Sequence, residues 1–389
     1  MKKLLSVLTL CMLTVTVKAA DKPGLVSEKP SEGRFVKTDQ GFMVPYKVTI
    51  PGTEVSFWME PIPGGEYVMG SPETESGRED VEGPQKKVKV APFWMARLEV
   101  TWKEYNQFIS LYDAFKAFEE NGVRAVTEAN KIDAITAPTP LYEPSFTYEY
   151  GEDPELPAVT ITQHSAKQYS KWMSAITDMQ FRLPTEAEWE YACRAGAQTA
   201  YHFGDDASKL GDYGWFLDNT GDGGQRKGGQ KKPNPWGLYD MHGNVAEWVL
   251  DNLEPYEATE EAFDGATWVS KPELDPRVVR GGSWEFEAYQ CRCASRLGSD
   301  SSQDEWGWRE YDPNIPASPW WFTSDPARGV GFRLIRALKE LPRKQMEEAW
   351  KIDNEDTLYD VADRLSEGKG AQGIVDKTLP AAIKALKDK

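Results

Sequence analysis

The sequence predicts an α+β fold that is irregular and rich in loops, with a short helical extension at its C-terminal end. Its 389 residues include 32 Gly and 26 Pro beside 15 Trp, 16 Tyr and 15 Phe, a composition typical of loops anchored by large aromatic side chains. Short alternating stretches and short amphipathic stretches follow one another, and neither type continues for long. This pattern favours many short elements over a helical bundle or a regular sheet.

The N-terminal 19 residues have the features of a secretory signal peptide. Lys2 and Lys3 precede an apolar run over residues 4–17, and small or apolar residues stand before the predicted cleavage point after Ala19. The apolar run is too short for a membrane-spanning helix. We therefore expect a secreted or periplasmic protein with no membrane span.

The charge of the chain excludes two classes of partner. The formal net charge is -17, and the basic residues form no stripe. Such a chain is not expected to bind nucleic acid or an anionic membrane surface.

Three cysteines follow the signal segment, Cys193, Cys291 and Cys293, so that an oxidising compartment would allow at most one intramolecular disulfide.

The order of the elements follows from local patterns. Residues 20–43 are polar and without periodicity, which predicts a linker. From residue 44 the sequence alternates between Pro-Gly and Gly-Gly turns, as short strands do, and the predicted domain continues to residue 338. Residues 128–157 are rich in Pro and Tyr and indicate an inserted loop. Residues 339–389 change to Lys, Glu, Ala and Leu, which predicts a tail of one or two helices.

Three short helices are predicted inside the domain. Thr101 and Glu104 form a capping box in which each residue can satisfy the other's free backbone group. Thr185 and Glu188 repeat that spacing ahead of a second helix. Between them, residues 161–175 carry apolar side chains near helical spacing.

The stretch NPWGLYDMHGNVAEW, residues 234–248, is the strongest candidate site. Asp240, Asn244 and Glu247 bring three oxygen-bearing side chains together between turn-forming pairs and aromatic anchors. Oxygen ligands around a glycine turn suit a hard cation such as calcium. They suit equally a loop in which the same side chains cap turns and bind backbone amides, so both alternatives stay open.

Six motifs occur in a characteristic order between residues 44 and 338: PIPGGEYVMGS, FWMARLEVTWKEY, FRLPTEAEWEYACRAG, NPWGLYDMHGNVAEW, RVVRGGSW and GVGFRLIR. In these motifs the sequence resembles the formylglycine-generating enzyme family, also called sulfatase-modifying factor proteins. The resemblance implies an irregular, loop-rich, C-type-lectin-like fold.

The resemblance also implies a chemistry for which this chain does not supply the expected pair of cysteines. The enzymes of the family oxidise a sulfatase cysteine to formylglycine with molecular oxygen and a copper(I) ion held by two cysteines. In the corresponding segment, GGSWEFEAYQCRCASR, the first cysteine position falls on Phe286, and the second falls in a gap or at best on Cys291. Copper(I) prefers thiolate ligands. The three histidines, His164, His202 and His242, are scattered along the sequence and form no metal-ligand pair at helical or hairpin spacing that could replace the cysteines. Because the cysteine pair is missing as well, we expect no copper.

The resemblance assigns calcium ligands to the opening turn, namely the side chain of Asp240, the carbonyl groups of Gly243 and Val245, and the carboxylate of Glu247. A second calcium site corresponds to Asp212 and the carbonyl group of Tyr213. The resemblance further predicts a disulfide between Cys193 and Cys293, with Cys291 as a free thiol.

Two functions are compatible with these features. The first is an exported, non-catalytic or diverged family member that uses a calcium-stabilised scaffold to bind a protein or a glycan, with a sulfatase as one candidate partner. Aromatic residues of the segment 305–328 could form the floor of a ligand groove, among them Trp306, Trp308, Trp320 and Trp321. The alternative is a formylglycine-generating oxidase that uses Cys291 as its thiol. Ser283, beside the expected reactive pair, is the other catalytic candidate.

Overall fold

A computed structural model describes residues 22–141, 144–221, 223–257, 261–299, 318–322 and 325–387. The predicted signal segment, Trp306 and Trp308 lie outside these residues. No helix of the described ranges is both long and apolar enough to cross a membrane.

The described residues form nine short α-helices. They are α1 (Trp102–Ile109), α2 (Leu111–Glu120), α3 (Pro144–Thr147), α4 (Gln163–Thr177), α5 (Glu186–Arg194), α6 (Leu217–Thr220), α7 (Arg343–Trp350), α8 (Glu355–Ser366) and α9 (Leu379–Lys387).

The same residues contain sixteen strands of two to seven residues. They are β1 (Leu25–Val26), β2 (Val36–Thr38), β3 (Gly41–Met43), β4 (Tyr46–Thr49), β5 (Ser56–Ile62), β6 (Gly65–Met69), β7 (Lys86–Val90), β8 (Phe93–Ala96), β9 (Ala134–Ala137), β10 (Ala246–Asn252), β11 (Phe263–Asp264), β12 (Arg277–Arg280), β13 (Arg296–Gly298), β14 (Val330–Gly331), β15 (Ile335–Ala337) and β16 (Ala371–Ile374).

The strands pair into several small sheets rather than one large one. Two sheets have four strands, in the orders β15-β8-β5-β4 and β13-β12-β10-β14. Most neighbours are antiparallel, whereas β14 runs parallel to β10 and β11 runs parallel to β7. Few helices and several small sheets confirm the predicted irregular α+β fold.

Both predicted capping boxes are confirmed. The Thr101 hydroxyl accepts a hydrogen bond from the backbone N–H of Glu104, and the Glu104 side chain accepts one from the backbone of Thr101. Thr185 and Glu188 make the same reciprocal pair at the start of α5. These bonds satisfy backbone donors that the first turn of a helix leaves free, which explains why α1 and α5 begin at these positions.

Helix α5 packs against two of the small sheets. It contacts β6 and β7 of one sheet and β10 and β12 of another. The helix is buried along its whole length, including Trp189 and Cys193. Its position brings the residues of the third motif against the turn at residues 234–248.

Buried arginine–carboxylate pairs reinforce this core. Each of five buried arginines contacts a buried glutamate: Arg182 with Glu188, Arg280 with Glu190, Arg292 with Glu82, Arg296 with Glu186, and Arg333 with Glu247. A planar guanidinium can bind both oxygens of a carboxylate, which fixes the relative orientation of two loops. The pairs therefore hold together segments that have little regular structure.

The two ends of the domain differ from the prediction. The segment predicted as a linker contains β1, β2 and β3, which form a small antiparallel sheet. The C-terminal segment has three helices and a strand, β16, which pairs with β9 inside the predicted inserted loop. Residues 22–43 carry no alternating apolar pattern that would indicate strands, and β16 pairs with a strand that is far away in the sequence.

Candidate functional site

The turn at residues 234–248 has a tightly constrained backbone. Asp240, Gly243 and Asn244 have φ angles of 58°, 116° and 65°, in the left-handed region. A Cβ atom at Gly243 would overlap the carbonyl oxygen of Trp215, so this position requires glycine. The fold thus keeps three residues with left-handed backbone close together ahead of β10.

Two carboxylates at this turn are buried with an oxygen atom that lacks a partner. Asp240 accepts a hydrogen bond from the Gly229 N–H through Oδ2 at 2.7 Å, but no described residue bonds its Oδ1. Glu99 accepts one from the Asn244 side-chain amide through Oε1 at 2.9 Å, and its Oε2 likewise has no partner among the described residues. Both residues are 1% exposed. Unpartnered buried oxygens are costly and are atoms that a cation would satisfy.

The electrostatics of the two carboxylates agree with their geometry. Burial raises the pKa of Asp240 to about 6. Burial, and next the negative charge of Asp240, raise the pKa of Glu99 well above its ordinary value. Gly228 lies beside Oε2 of Glu99, while Gly229 donates to Asp240, so both carboxylates face the same pair of glycines. Sequence reasoning missed Glu99, which precedes Asn244 by 145 residues and belongs to another motif.

Glu247 has a different environment from Asp240. Arg333 binds both of its oxygens, through Nε at 2.6 Å and through a terminal nitrogen, and the Trp189 indole N–H donates to Oε2 at 2.8 Å. The Arg333 guanidinium also donates to the carbonyl oxygens of Ala96 and Tyr239. Glu247 thus joins the turn to α5 and to the strand-like segment around Arg333.

The residues predicted for a second calcium site lie at the surface. Asp212 forms an ion pair of 2.8 Å with Lys232, and both side chains are more than half exposed. The Tyr213 ring stacks on Phe203, with 4.5 Å between the ring centroids. The carboxylate of Asp212 is thus already paired with a lysine at the surface, unlike the buried carboxylate of Asp240.

The segment expected to carry the catalytic thiols is well defined. Ser283 is fully buried, and its hydroxyl lies 3.4 Å from a carboxylate oxygen of Glu285. Cys291 is fully buried in an apolar cluster with Ala200, Tyr201, Leu210 and Phe216. Burial raises the pKa of the Cys291 thiol to about 12, so the thiol is protonated near pH 7.

This segment does not fit a copper(I) ion held by two thiolates. Phe286 occupies the first expected position, and the sulfur of Cys293 belongs to a different cluster from that of Cys291. A cavity of about 30 Å³ is lined by Gly281, Gly282 and Phe286 among other residues. That volume has room for one or two water molecules.

Behind the turn, two cysteines and two histidines meet. The sulfur atoms of Cys193 and Cys293 are 3.3 Å apart and unbonded, so the predicted disulfide stays a prediction. Both ring nitrogens of His242 lie 3.8 Å from the Cys193 sulfur. Nδ1 of His202 is 2.8 Å from Nε2 of His242, and the two rings stack with centroids 5.0 Å apart.

The fold thus brings together His202 and His242, which lie 40 residues apart in the sequence and outside helical or hairpin spacing. His164 lies elsewhere, with its Nε2 at 3.3 Å from the Thr136 hydroxyl. Burial lowers the pKa of His202 to about 3 and that of His242 to about 4, so both rings are neutral near pH 7. Spacing in the sequence gave no signal for this group, because α5, two loops and the end of the cysteine segment each contribute one residue.

The tryptophans expected to form a groove belong to the core where they are described. Trp320 and Trp321 are 0% and 6% exposed. The Trp321 indole N–H donates to the carbonyl oxygen of Thr139 at 2.8 Å. Both belong to the main hydrophobic cluster, and the Trp321 ring also contacts the rings of Trp102 and Tyr105 on α1.

Comparison with known proteins gives consistent results. A family model described as "Sulfatase-modifying factor enzyme 1-like domain" matches residues 58–310. The chain is similar to the formylglycine-generating enzyme of Bos taurus, with 29% identity over 293 residues, or 67% of this chain and 76% of that protein. It is similar to the formylglycine-generating enzyme of Thermomonospora curvata, with 31% identity over 288 residues, or 66% and 93%.

Similarity extends to an inactive relative and to solved structures. The inactive C-alpha-formylglycine-generating enzyme 2 of Mus musculus is 29% identical over 280 residues, or 64% of this chain and 83% of that protein. The structure of PvdO from Pseudomonas aeruginosa matches with a TM-score of 0.52 and 24% identity, covering 82% of this chain and 100% of that one. At that identity, the structural likeness concerns the fold alone.

Proposed function

The chain belongs to the family of sulfatase-modifying factor proteins, and from that membership we propose that it is a non-catalytic or diverged member that binds a protein or a glycan. Export from the cell, based on the N-terminal 19 residues, is part of the same proposal. The family description makes a sulfatase one candidate partner.

The observation that carries the proposal is the state of the cysteine segment. Copper(I) in a two-sulfur site needs two thiolates, and the two cysteines of this segment, Cys291 and Cys293, lie in different clusters. The Cys291 thiol is buried among apolar side chains and has a pKa of about 12, which opposes both metal binding and nucleophilic attack. Phe286 adds an aromatic ring where a second sulfur would be required.

Similarity alone does not decide between an active and an inactive protein. The enzyme of Bos taurus and the inactive relative of Mus musculus are both 29% identical to this chain. The residues of the cysteine segment therefore carry more weight than overall identity.

A calcium ion at the turn is also part of the proposal, with a structural role. Asp240 and Glu99 would hold it through their unpartnered oxygens, together with the predicted carbonyl groups of Gly243 and Val245. Glu247 would support the site from behind, because Arg333 already binds both of its carboxylate oxygens. The ion would supply positive charge to two buried carboxylates and so stabilise the loops that carry them.

The partner would contact the face beside the cysteine segment. Tyr289 is 40% exposed there, and Phe286, three residues earlier in the chain, is partly exposed. Exposed aromatic rings bind peptide side chains and sugar rings through their apolar faces. A family member that no longer modifies a substrate could still bind one at this face.

The proposal is tested by incubating the purified protein with copper(I), oxygen and a peptide that contains a Cys-x-Pro-x-Arg motif. We expect no aldehyde in the peptide by mass spectrometry. The Thermomonospora curvata relative, treated in parallel, is the positive control. Aldehyde formation that is lost in Cys291→Ser would contradict the proposal and establish the oxidase alternative.

A further inference from the structure

We propose that Arg364, near the C-terminal end of α8, is the centre of a binding site for an oxyanion, that is, a carboxylate, sulfate or phosphate group. Arg364 is 9% exposed, and its Nε and Nη1 atoms are buried without a hydrogen-bond partner among the described residues. A guanidinium has five N–H donors, carries a positive charge at neutral pH and accepts no hydrogen bond. This buried cation with unused donors therefore lacks an anionic acceptor.

Arg364 differs from the five buried arginines that each contact a buried glutamate. Burial lowers the pKa of those arginines, but the glutamates outweigh it, so that the pKa values of Arg296 and Arg333 are raised. At Arg364 burial lowers the pKa, and the charges of Glu367 and then Asp363 only partly oppose this effect. An external anion would provide at Arg364 what a glutamate provides at the other arginines.

The acidic side chains near Arg364 are engaged elsewhere or face solvent. Glu367 forms an ion pair of 2.9 Å with Lys369, and Asp363 is exposed. Neither accepts a hydrogen bond from the buried Nε and Nη1 atoms. The guanidinium is therefore not neutralised at contact distance by either residue.

Two further cations lie close to Arg364. Tyr112 on α2 affects the pKa of Arg364, and its hydroxyl donates to the carbonyl oxygen of Gly368 at 3.4 Å. The Lys116 ammonium lies 5.9 Å from the centre of the Tyr112 ring, and Lys369 follows Gly368 in the chain. Although the chain has a formal net charge of -17, three cations thus surround one tyrosine, which makes this region attractive to an anion.

Hydrogen bonds fix the backbone around Arg364. Its carbonyl oxygen accepts from the backbone N–H groups of both Lys369 and Gly370, and the carbonyl oxygen of Leu365 accepts from that of Gly368. A rigid frame lowers the entropic cost of binding a ligand. An anion would reach the buried nitrogens by displacing partly exposed side chains and would leave this backbone in place.

The shape of a guanidinium selects the class of anion. Its N–H groups lie in one plane and can donate two parallel hydrogen bonds to two oxygens of a carboxylate, sulfate or phosphate group. A chloride ion has no such pair of acceptor atoms. The site also lies outside residues 58–310, which the family model matches, so it is separate from the cysteine segment and independent of the proposed function.

The first experiment measures anion binding to the full-length protein by isothermal titration calorimetry. Sodium sulfate, sodium phosphate and N-acetylated dialanine with a free carboxylate are titrated separately, and sodium chloride keeps the ionic strength constant. We expect saturable binding of at least one of these anions, with a rise in the melting temperature as the site fills. Absence of saturable binding for all three would overturn the proposal.

The same titrations identify the source of the oxyanion. Tighter binding of sulfate or phosphate would assign the site to an inorganic anion or to a sulfated or phosphorylated ligand. Tighter binding of N-acetylated dialanine, lost in its C-terminal amide, would assign the site to a peptide carboxylate. Equal binding of the peptide and its amide would contradict recognition of the carboxylate.

The second experiment replaces Arg364 by methionine, which removes the guanidinium and keeps an apolar stem. We expect Arg364→Met to weaken binding of the anion at least about tenfold. Without added anion, the melting temperature of the variant should equal or exceed that of the unaltered protein, because a buried unpaired cation has been removed. A large fall in that melting temperature would show that Arg364 has a partner inside the protein and would overturn the proposal.

Arg343→Met is the matched control. Arg343 lies on α7 in the same C-terminal segment and pairs at the surface with Asp133 and Glu347. Its replacement should leave the anion affinity unchanged, and equal weakening in both variants would show a general effect of charge and contradict the site. If Arg364→Met does not fold, Arg364→Lys decides, since it keeps the charge without the planar fork and should bind the anion more weakly than the unaltered protein.

Discussion

Glu99 and Asp240 are the side chains whose environment most needs explanation at the scale of single residues. Each has one satisfied and one unpartnered carboxylate oxygen in the interior. Spacing within one motif identified Asp240 in advance. Spacing could not identify Glu99, because this residue belongs to another motif and comes close to Asp240 only in the folded protein.

Replacement of Asp240 by asparagine should separate calcium binding from folding. In the presence of a chelator, we expect Asp240→Asn to stabilise the protein by about 1–3 kcal/mol at pH 7, because it removes a buried charge. Calcium should raise the melting temperature of the unaltered protein and have a much smaller effect on Asp240→Asn.

Thermal unfolding with calcium and with a chelator provides the measurement. Asp212→Asn is the control, since that carboxylate is exposed and paired with Lys232. It should leave the effect of calcium unchanged. Equal melting temperatures of the unaltered protein with and without calcium would rule out the proposed ion.

At the scale of elements, the connection between α7 and α8 shows how the C-terminal segment is attached. Asp353 lies 2.9 Å from both the Lys167 ammonium on α4 and the Arg277 guanidinium on β12, and all three side chains are at most 8% exposed. Burial alone would raise the pKa of Asp353, but Lys167 and then Arg277 hold it well below its ordinary value. One carboxylate therefore joins three elements.

Asp353→Asn should destabilise the protein by about 3 kcal/mol at pH 7, because it leaves two buried cations without their partner. The pKa of Asp353 is lowered in the folded state, so its contribution is fully present above about pH 4 and is lost as the pH falls further. Urea unfolding at pH 7, 5 and 3 measures the free energies of unfolding of the unaltered protein and of Asp353→Asn. The difference between the two should become smaller only at pH 3.

The surface pair of Arg124 and Asp376 is the matched control for that measurement, since Asp376 is 45% exposed. Asp376→Asn should lower the free energy of unfolding by less than about 1 kcal/mol. Equal effects of the two substitutions would show that the Asp353 cluster does not anchor the segment.

At the scale of the whole molecule, the C-terminal segment is part of the domain. Strand β16 pairs with β9, Gly373 packs on the Phe115 ring, and the Trp350 indole N–H donates to the carbonyl oxygen of Phe181 at 3.0 Å. Composition distinguished this segment from the domain, but it could not show that a strand of the segment completes a sheet.

Capping boxes and aromatic anchors were predictable because they depend on neighbours in sequence. The buried ion pairs and the cysteine–histidine group were not, because they join distant motifs.

Removal of the residues after Leu338 should therefore destabilise the rest of the domain as well. We expect its melting temperature to fall by about 10 °C or more, given roughly 2–4 °C per kcal/mol for domains of about 150–250 residues. Tyr359→Ser alters an exposed ring on α8, 71% exposed, and should leave the melting temperature unchanged. An unaltered transition in the truncated chain would show that the segment is an independent appendage.

The buried thiol of Cys291 has a consequence for measuring motion in this protein. With a pKa of about 12 and no exposed surface, it can react with an alkylating reagent only when its apolar cluster opens. The rate of alkylation under native conditions thus reports how often the region around Leu210 and Phe216 opens. Cys291 can therefore serve as a built-in label for local unfolding of this cluster.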